Sequence, residues 1–111
     1  MIVRNLQEEP HSPTCCCNSW LEHWENNCGK KADICSALNC SKNAEVGGHV
    51  QKINENDDHW FIIPICKSCN SKHGQEYEVK ANTTFISIDV NIQCGQQLIN
   101  KTLSEAGKWG R

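Results

Sequence analysis

The pattern of apolar and polar positions along the 111 residues predicts a short helix near the start of the chain. In "NSWLEHWENNCG", Ser19 and Glu22 form a capping box, and Gly29 is a typical C-terminal stop. The apolar positions recur at the spacing of one helical face, and His23 lies beside that face. The face consists of Trp20, Leu21, Trp24 and Cys28. We expect this helix to pack on the rest of the domain, because isolated helices of this length are marginal in water.

Two short apolar runs predict a β-hairpin in the middle of the chain. The runs are "HVQKI" and "HWFIIPI", and the polar stretch "NENDD" between them is typical of a turn. The preceding residues 35–48 predict a cysteine knuckle and a turn. Cys35 and Cys40 bracket only four residues there, and Gly47 and Gly48 follow. The hairpin would bring the chain back towards this knuckle.

The flanking segments predict an irregular arm at one end and a strand and helix at the other. Residues 1–13 form the arm, with Pro10 and Pro13 as breakers. After Cys66 the composition is compatible with a helix as far as about Tyr77. "TTFISIDVNI" then alternates as a strand does, and an apolar stripe with helical spacing follows it. The stripe consists of Leu98, Ile99, Thr102, Leu103 and Ala106.

These elements predict one small α+β domain, which is also what the length of the chain favours. The predicted parts are the arm at 1–13, a helical region at 14–34, a cysteine-bearing core at 35–80, and a strand and helix at 81–111. A chain this short buries a modest core, and only 6% of its residues are aromatic. Small domains of this kind often depend on a metal or on disulfides for stability.

Composition and charge limit where the protein can work and which partners it can bind. The opening "MIVRNLQEEPHSP" lacks the apolar run of a signal peptide, and no stretch approaches the ~20 apolar residues of a membrane span. We therefore expect a cytoplasmic protein without membrane contact, in which cysteine pairs more often bind metal than form disulfides. The net charge is -2, and the longest basic run is Lys30-Lys31. Any contact with nucleic acid must then be local.

Four of the nine cysteines have the spacing of a zinc site. Cys35 and Cys40 form one pair, and Cys66 and Cys69 form a second pair after 25 intervening residues. Zinc takes four soft ligands in a tetrahedral arrangement, and each pair supplies two of them from one tight turn. A site closed by four protein ligands leaves no open coordination position. We therefore expect structural rather than catalytic zinc, with scattered thiols or disulfides as the alternative.

The remaining cysteines have two interpretations. A second metal site could use His23 together with some of the N-terminal cysteines. Three adjacent cysteines cannot all point at one ion, however, and a buried free thiol behaves as a small hydrophobe. We favour buried free thiols at these positions on compositional grounds. The cysteines concerned are Cys15, Cys16, Cys17, Cys28 and Cys94.

The order of a knuckle, a hairpin that opens on a histidine, and Cys-x-x-Cys at a helix start resembles a known family. It is similar to the zinc-stapled, treble-clef branch of the HNH endonuclease superfamily, the ββα-metal fold. The residues "GGHV…WFIIPICKSCN" carry this resemblance, which covers about residues 33–80. The chain also resembles small bacterial proteins that share an "SWL-x-H-W" opening and a "G-x-HVQ" block, over residues 17–80. The resemblance implies a treble-clef core with the N-terminal helix packed on it.

The HNH resemblance also implies roles for individual residues. His49 matches the histidine that acts as general base in the active nucleases. The residue before that histidine usually helps to hold a catalytic divalent cation such as magnesium, and here it is Gly48. Asn70 or His73 matches the last cation-binding residue. An aromatic pair stands where the family normally has its middle asparagine, so the nuclease motif is degenerate.

His49 therefore has two interpretations, a general base or a hydrogen-bonded hairpin residue near the zinc ligands. Phosphodiester cleavage needs a bound cation as well as a base. Asp57, Asp58 and His59 could supply cation ligands if the turn curled back. Nothing in the sequence requires that, and we favour the structural interpretation, because residues around a metal site are commonly fixed by such contacts.

We expect a zinc-binding, HNH-like module that engages nucleic acid or a protein partner. An active metal-dependent endonuclease with His49 as general base is one alternative, and a small protein-interaction or inhibitor module is another. Trp20, Trp24 and Trp60 would form a core under the knuckles, since aromatic burial dominates small cores. The alternative is a platform on which unpaired bases stack, which the scarcity of basic residues nearby disfavours.

Overall fold

Antiparallel strands form a five-stranded sheet in the computed structural model, which describes residues 1–6, 17–53 and 58–89. The strands are β1 (Ile2–Asn5), β2 (Val46–Lys52), β3 (Phe61–Ile65), β4 (Glu76–Glu78) and β5 (Ile86–Ser87), and the helices are α1 (Trp20–Cys28) and α2 (Lys67–Asn70). The strand order across the sheet is β4-β1-β2-β3-β5. The predicted α+β class is confirmed. Neither described helix has the length and apolar composition needed to cross a bilayer.

β2 and β3 confirm the predicted hairpin at the centre of the sheet. Gly47 and Gly48 lie inside β2, and the prediction of a turn at these positions is wrong. A Cβ atom at Gly47 would lie 2.6 Å from the backbone carbonyl carbon of Trp20, and one at Gly48 would lie 2.4 Å from Cδ1 of Ile65. Glycine is needed here because a helix backbone on one side and a side chain on the other come this close to the strand.

β1 lies between β2 and β4, at positions where the sequence predicted only an irregular arm. Its Val3 is fully buried and is paired with β2 on one side and with β4 on the other. The prediction is wrong for residues 2–5 because four residues are too few to show a strand period, and both partner strands are distant in sequence. Residues 7–13 of the predicted arm lie outside the described residues.

α1 is shorter than the predicted helical region 14–34, and its ends follow the capping pattern. Ser19 Oγ accepts a hydrogen bond from the N–H of Glu22 at 3.1 Å. Gly29 ends the helix with a left-handed φ of 75°, a backbone conformation that glycine adopts without steric cost. The local signals of the sequence therefore placed both ends of α1 correctly.

The segment after Cys66 differs from its predicted conformation. A helix was predicted as far as about Tyr77, but α2 ends at Asn70, the chain turns at Gly74 with a φ of 82°, and Tyr77 lies in β4. This part becomes a strand because the edge of β1 supplies hydrogen-bond partners, which local composition does not reveal. β5 covers two residues of the predicted strand "TTFISIDVNI". The predicted stripe from Leu98 to Ala106 lies outside the described residues.

The sheet separates two apolar clusters, because successive side chains of a strand point to opposite faces. Val50 and Ile63 belong to the cluster that includes the cysteine knuckles. Ile62 packs on the other face with Trp20 and Trp24 of α1, whose side chains are 7% and 5% exposed. The burial of these two tryptophans in a core is confirmed, as is the packing of the N-terminal helix on the rest of the domain. Their predicted place under the knuckles is wrong, because α1 covers the face of the sheet opposite the cysteines.

His23 lies on the buried side of α1, where the sequence placed it only beside the apolar face. Its side chain is fully buried, and Nε2 lies 3.1 Å from the carbonyl oxygen of Ser87. A carbonyl only accepts, so Nε2–H is the donor. Burial lowers the pKa of His23 below its ordinary value, and the bond to Ser87 offsets only part of this effect.

The buried imidazole predicts a loss of stability in mild acid. With a folded-state pKa below the unfolded value of about 6.5, the unfolded chain binds more protons as the pH falls through that value, so the free energy of unfolding decreases. Urea denaturation at constant zinc between about pH 7.5 and 5 measures this decrease. His23→Gln, which can still donate to Ser87, should show a shallower decrease. Parallel curves for the two proteins would contradict the prediction.

Candidate metal centre

The first knuckle is a tight loop that backbone hydrogen bonds hold against β3. The N–H of Cys40 donates to the carbonyl of Ala37 at 3.0 Å, which closes the turn between the two cysteines. The backbone N–H and the hydroxyl of Ser36 both donate to the carbonyl of Pro64, at 2.9 and 2.7 Å. The loop that carries Cys35 and Cys40 is therefore fixed to the centre of the sheet.

The second knuckle begins where β3 ends. Cys66 is the N-cap of α2, and its Sγ accepts a hydrogen bond from the N–H of Cys69 at 3.4 Å. The N–H of Lys67 donates to Oε1 of Glu45 at 3.0 Å, so a carboxylate also holds the start of this turn. A single helical turn thus places Cys66 and Cys69 on the same side as the first knuckle.

The four sulfurs meet at a distance that suits a metal ion. All four Sγ atoms lie within 4.8 Å of one another, and the Sγ atoms of Cys40 and Cys66 are 3.8 Å apart. Tetrahedral zinc with Zn–S bonds of about 2.3 Å requires sulfur–sulfur distances of about 3.8 Å. The predicted grouping of Cys35, Cys40, Cys66 and Cys69 is confirmed, and the cluster is compatible with a zinc site.

The charges of the cluster favour a cation among the sulfurs. Burial raises the pKa of the Cys35 thiol, and burial together with neighbouring thiols raises that of Cys69 to about 12. Burial also acts against ionisation of Cys66, but hydrogen bonds from Cys69 and the other thiols outweigh it and lower the pKa of Cys66 to about 7. Four thiolates can coexist here only if a dication neutralises part of their charge.

A metal ion could reach the cluster from one side, and the four cysteines would then occupy all of its coordination positions. A cleft of about 410 Å³ is lined by Cys40, Cys66 and Cys69, which gives an ion a route to the sulfurs. Four cysteine ligands complete a tetrahedral shell and leave no coordination position for a substrate or a reacting water. This arrangement can stabilise a fold, and it does not suit catalysis at the metal.

His49 lies away from this cluster, within the packing between α1 and the sheet. Its side chain is 1% exposed. The imidazole centroid lies 4.8 Å from the ring of Trp20 and 5.9 Å from that of Trp60, in edge-to-face geometry. Trp60 itself is half-buried. Aromatic rings therefore occupy the space that a phosphodiester would need beside a general base.

The pleat of β2 places His49 and Asn70 on opposite faces of the sheet. A Cβ atom at Gly47 would meet the backbone of Trp20, so odd positions face α1, and His49 is one of them. A Cβ atom at Gly48 would lie 3.2 Å from Oδ1 of Asn70, so even positions face α2. The structure does not bring these two site residues together.

The other residues considered for a second cation are also dispersed. His73 and Asp58 are exposed, His73 in the loop between α2 and β4 and Asp58 in the segment that enters β3. Nε2 of His59 lies 3.1 Å from Oδ2 of Asp89. Asp57 lies outside the described residues.

Two side chains that contact the metal centre were not found by sequence reasoning. Nζ of Lys80 donates to the carbonyls of Cys35 and Cys40, at 2.5 Å in each case. Nδ2 of Asn5 donates to the carbonyls of Cys69 and Asn70, at 3.2 and 3.0 Å. Neither residue belongs to a motif, and both are far from the cysteines in sequence, so no sequence signal pointed to them.

The remaining cysteines do not extend the centre. Cys17 is disulfide-bonded, which corrects the expectation of a free thiol at that position, whereas Cys28 is a free thiol as expected. Cys15, Cys16 and Cys94 lie outside the described residues. Among the residues that the structure describes, the four-cysteine cluster is the one group of three or more potential ligands close enough to hold a metal.

No protein family, curated protein or solved structure matches the chain.

The cluster predicts one tightly bound zinc per chain and dependence of folding on it. Cys66→Ser should lose zinc and unfold or precipitate, because an unfolded chain has no preformed site and metal binding contributes directly to folding. Cys28→Ser, which removes a thiol outside the cluster, should keep its zinc and its fold. Metal analysis by mass spectrometry and circular dichroism test both variants. A folded Cys66→Ser protein with full zinc content would refute the assignment.

Proposed function

We propose that this chain is a zinc-stabilised, HNH-like treble-clef module that binds nucleic acid and does not cleave it. The observation that carries the proposal is the grouping of Cys35, Cys40, Cys66 and Cys69 within 4.8 Å. Thiolates are soft ligands, and four of them in tetrahedral spacing favour zinc over harder cations such as magnesium. Zinc then joins the two knuckles and makes a small domain stable.

The positions of the HNH-like residues support a non-catalytic module. Cleavage would require His49 to reach a phosphodiester while a second divalent cation neutralises the developing charge. His49 is 1% exposed, and Asn70 lies on the other face of the sheet. Magnesium prefers carboxylate oxygens, and Gly48 offers none beside His49. Among the described residues, no group of three or more potential metal ligands includes His49.

Lysines on the second knuckle support a nucleic-acid partner. Lys67 lies in α2, Lys72 follows it, and both side chains are exposed. Within the described part of the chain, neither ammonium group lies within ion-pair distance of a carboxylate. Unpaired ammonium groups are what phosphate contacts require. The contact would be small, as the net charge of -2 implies.

A protein partner is the second candidate, supported by the first knuckle. Ile34 is 40% exposed and Leu38 is 48% exposed, one on each side of Cys35. Leu38 lines the cleft beside Cys40, and Ile34 lines a second cleft beside Pro64, where a partner protein could bury each side chain. This candidate corresponds to an interaction or inhibitor module and predicts no affinity for nucleic acid.

The proposal predicts no metal-dependent nuclease activity. Supercoiled plasmid and single-stranded DNA, incubated with the protein and magnesium, manganese or nickel, should stay intact on gels because His49 and a cation cannot act on the same phosphate. His49→Ala is the matched control, provided that its circular dichroism spectrum and zinc content show it to be folded. Cleavage by the wild-type protein that is lost in the folded variant would establish a nuclease.

Binding should depend on salt and on the lysines of the second knuckle. Fluorescence anisotropy with labelled single- and double-stranded oligonucleotides, from about 50 to 200 mM salt, measures the slope of log affinity against log salt. The double variant Lys67→Gln/Lys72→Gln should lower that slope by about 1.8 for duplex and about 1.4 for single strands, as expected for two lost phosphate contacts.

Lys31→Gln is the matched control for charge, since Lys31 is 91% exposed and lies beside Glu25 of α1. It should leave the slope unchanged. Absence of binding by the wild-type protein at the lowest salt would reject the nucleic-acid proposal in favour of a protein partner.

A further inference from the structure

We propose that Lys80 is a positioning residue of the metal centre, which holds the first knuckle closed and offsets the negative charge of the metal-bound thiolates. This inference rests on the proposed zinc site. It concerns a residue outside every cysteine motif, 40 positions from Cys40 and 45 from Cys35. Its support is the geometry of the ammonium group, the anchoring of its backbone and the charge of the cluster.

The ammonium group of Lys80 bridges the two ends of the first knuckle. It donates to the carbonyl of Cys35 and to the carbonyl of Cys40, at 2.5 Å each. These carbonyls belong to the first and last residues of the loop that supplies two ligands. An ammonium has three donors, and two of them are used here on one loop. Lys80 therefore fixes the distance between the backbones of two ligand residues.

The backbone of Lys80 is anchored to the same loop. Its N–H donates to the carbonyl of Ser36 at 2.9 Å, and the preceding residue, Val79, forms a β-bridge with Ala37 and is 2% exposed. The side chain thus starts from a fixed point beside the knuckle. Less conformational entropy is lost when its ammonium group reaches the two carbonyls.

The charge of Lys80 suits the cluster in its metal-bound form. Zinc with four thiolates has a net charge of -2, whereas four protonated thiols are neutral. A cation held beside the loop favours the charged, metal-bound form over the neutral, metal-free form. The second knuckle is held differently, since the neutral amide of Asn5 donates to the carbonyls of Cys69 and Asn70. The Glu45 carboxylate also holds the second knuckle, so the described contacts place a positive charge at the first knuckle and a negative one at the second.

Lys42 provides a matched comparison on the same knuckle. It is exposed and lines the cleft beside the cluster together with Cys40, Cys66 and Cys69. Among the described contacts its side chain makes no hydrogen bond to a ligand residue. Replacing either lysine removes one positive charge. The carbonyl of Lys42 accepts a hydrogen bond from the N–H of Cys35 at 2.8 Å, which a side-chain substitution leaves in place, whereas Lys80 contacts the knuckle through its ammonium group.

The test measures zinc affinity by competition with a chromophoric chelator, for the full chain at several salt concentrations. Lys80→Met keeps the length of the side chain and should weaken zinc binding by about 10–100-fold, the usual effect of losing a residue that holds a metal ligand. Lys80→Arg, which keeps charge and donors, should restore most of the affinity. Lys42→Met should bind zinc like the wild-type protein.

Salt dependence separates the charge of Lys80 from a purely structural role. Salt should weaken zinc binding by the wild-type protein and by Lys80→Arg more than by Lys80→Met, because screening acts on the charge that the last variant lacks. Should Lys80→Met not fold, Lys80→Gln, which keeps donors but no charge, takes its place. Cobalt spectra of each variant check that four thiolates still bind the metal.

The outcomes distinguish this inference from the zinc proposal. A wild-type protein that binds no zinc rejects the proposed metal site. If the wild-type protein, Lys80→Met and Lys42→Met bind zinc with equal affinity, the proposed role of Lys80 is rejected and the zinc site remains. Equal losses in Lys80→Met and Lys80→Arg, with identical salt dependence, also reject it.

Discussion

Four cysteine sulfurs within 4.8 Å of one another impose the constraint on which the rest of the structure depends. As thiolates they repel unless a cation lies among them, and burial already opposes the ionisation of Cys35 and Cys69. The first knuckle is fixed to β3 through Ser36, and the second begins at Cys66, where β3 ends. A metal at this point would therefore connect both loops to the central hairpin, and its loss would affect the sheet as well as the loops.

The sheet also determines whether His49 and Asn70 can act together. Consecutive residues of β2 point to opposite faces of the sheet, one towards α1 and the next towards the knuckles. His49 lies on the first face, between aromatic rings, and Asn70 lies on the second. A base and a cation ligand on opposite faces cannot act on one phosphate. This separation agrees with the proposed non-catalytic module, in which a metal would stabilise the loops that carry the exposed side chains.

Two side chains that hold the knuckles lie in or beside strands that local patterns did not predict. Asn5 belongs to β1, where an irregular arm was expected, and Lys80 follows β4, where a helix was expected. Both donate to backbone carbonyls of the clustered cysteines, so side chains from the beginning of the chain and from beyond the second knuckle shape the candidate metal site. A description of the site by its four cysteines alone would leave out Asn5 and Lys80, which hold the backbone of the cysteines in position.

Features that depend on neighbouring residues could be predicted from the amino-acid sequence alone. Ser19, Glu22 and Gly29 mark the ends of α1 because capping is a local interaction, and the spacing of the four cysteines indicates a metal because each pair lies in one turn. Other features became evident only in the folded chain: residues 2–5 form a strand, Gly47 and Gly48 lie inside a strand, and His49 lies on the face of the sheet that α1 covers. Strand pairing, close approach of elements and the pleat all depend on partners distant in sequence, which no local pattern records.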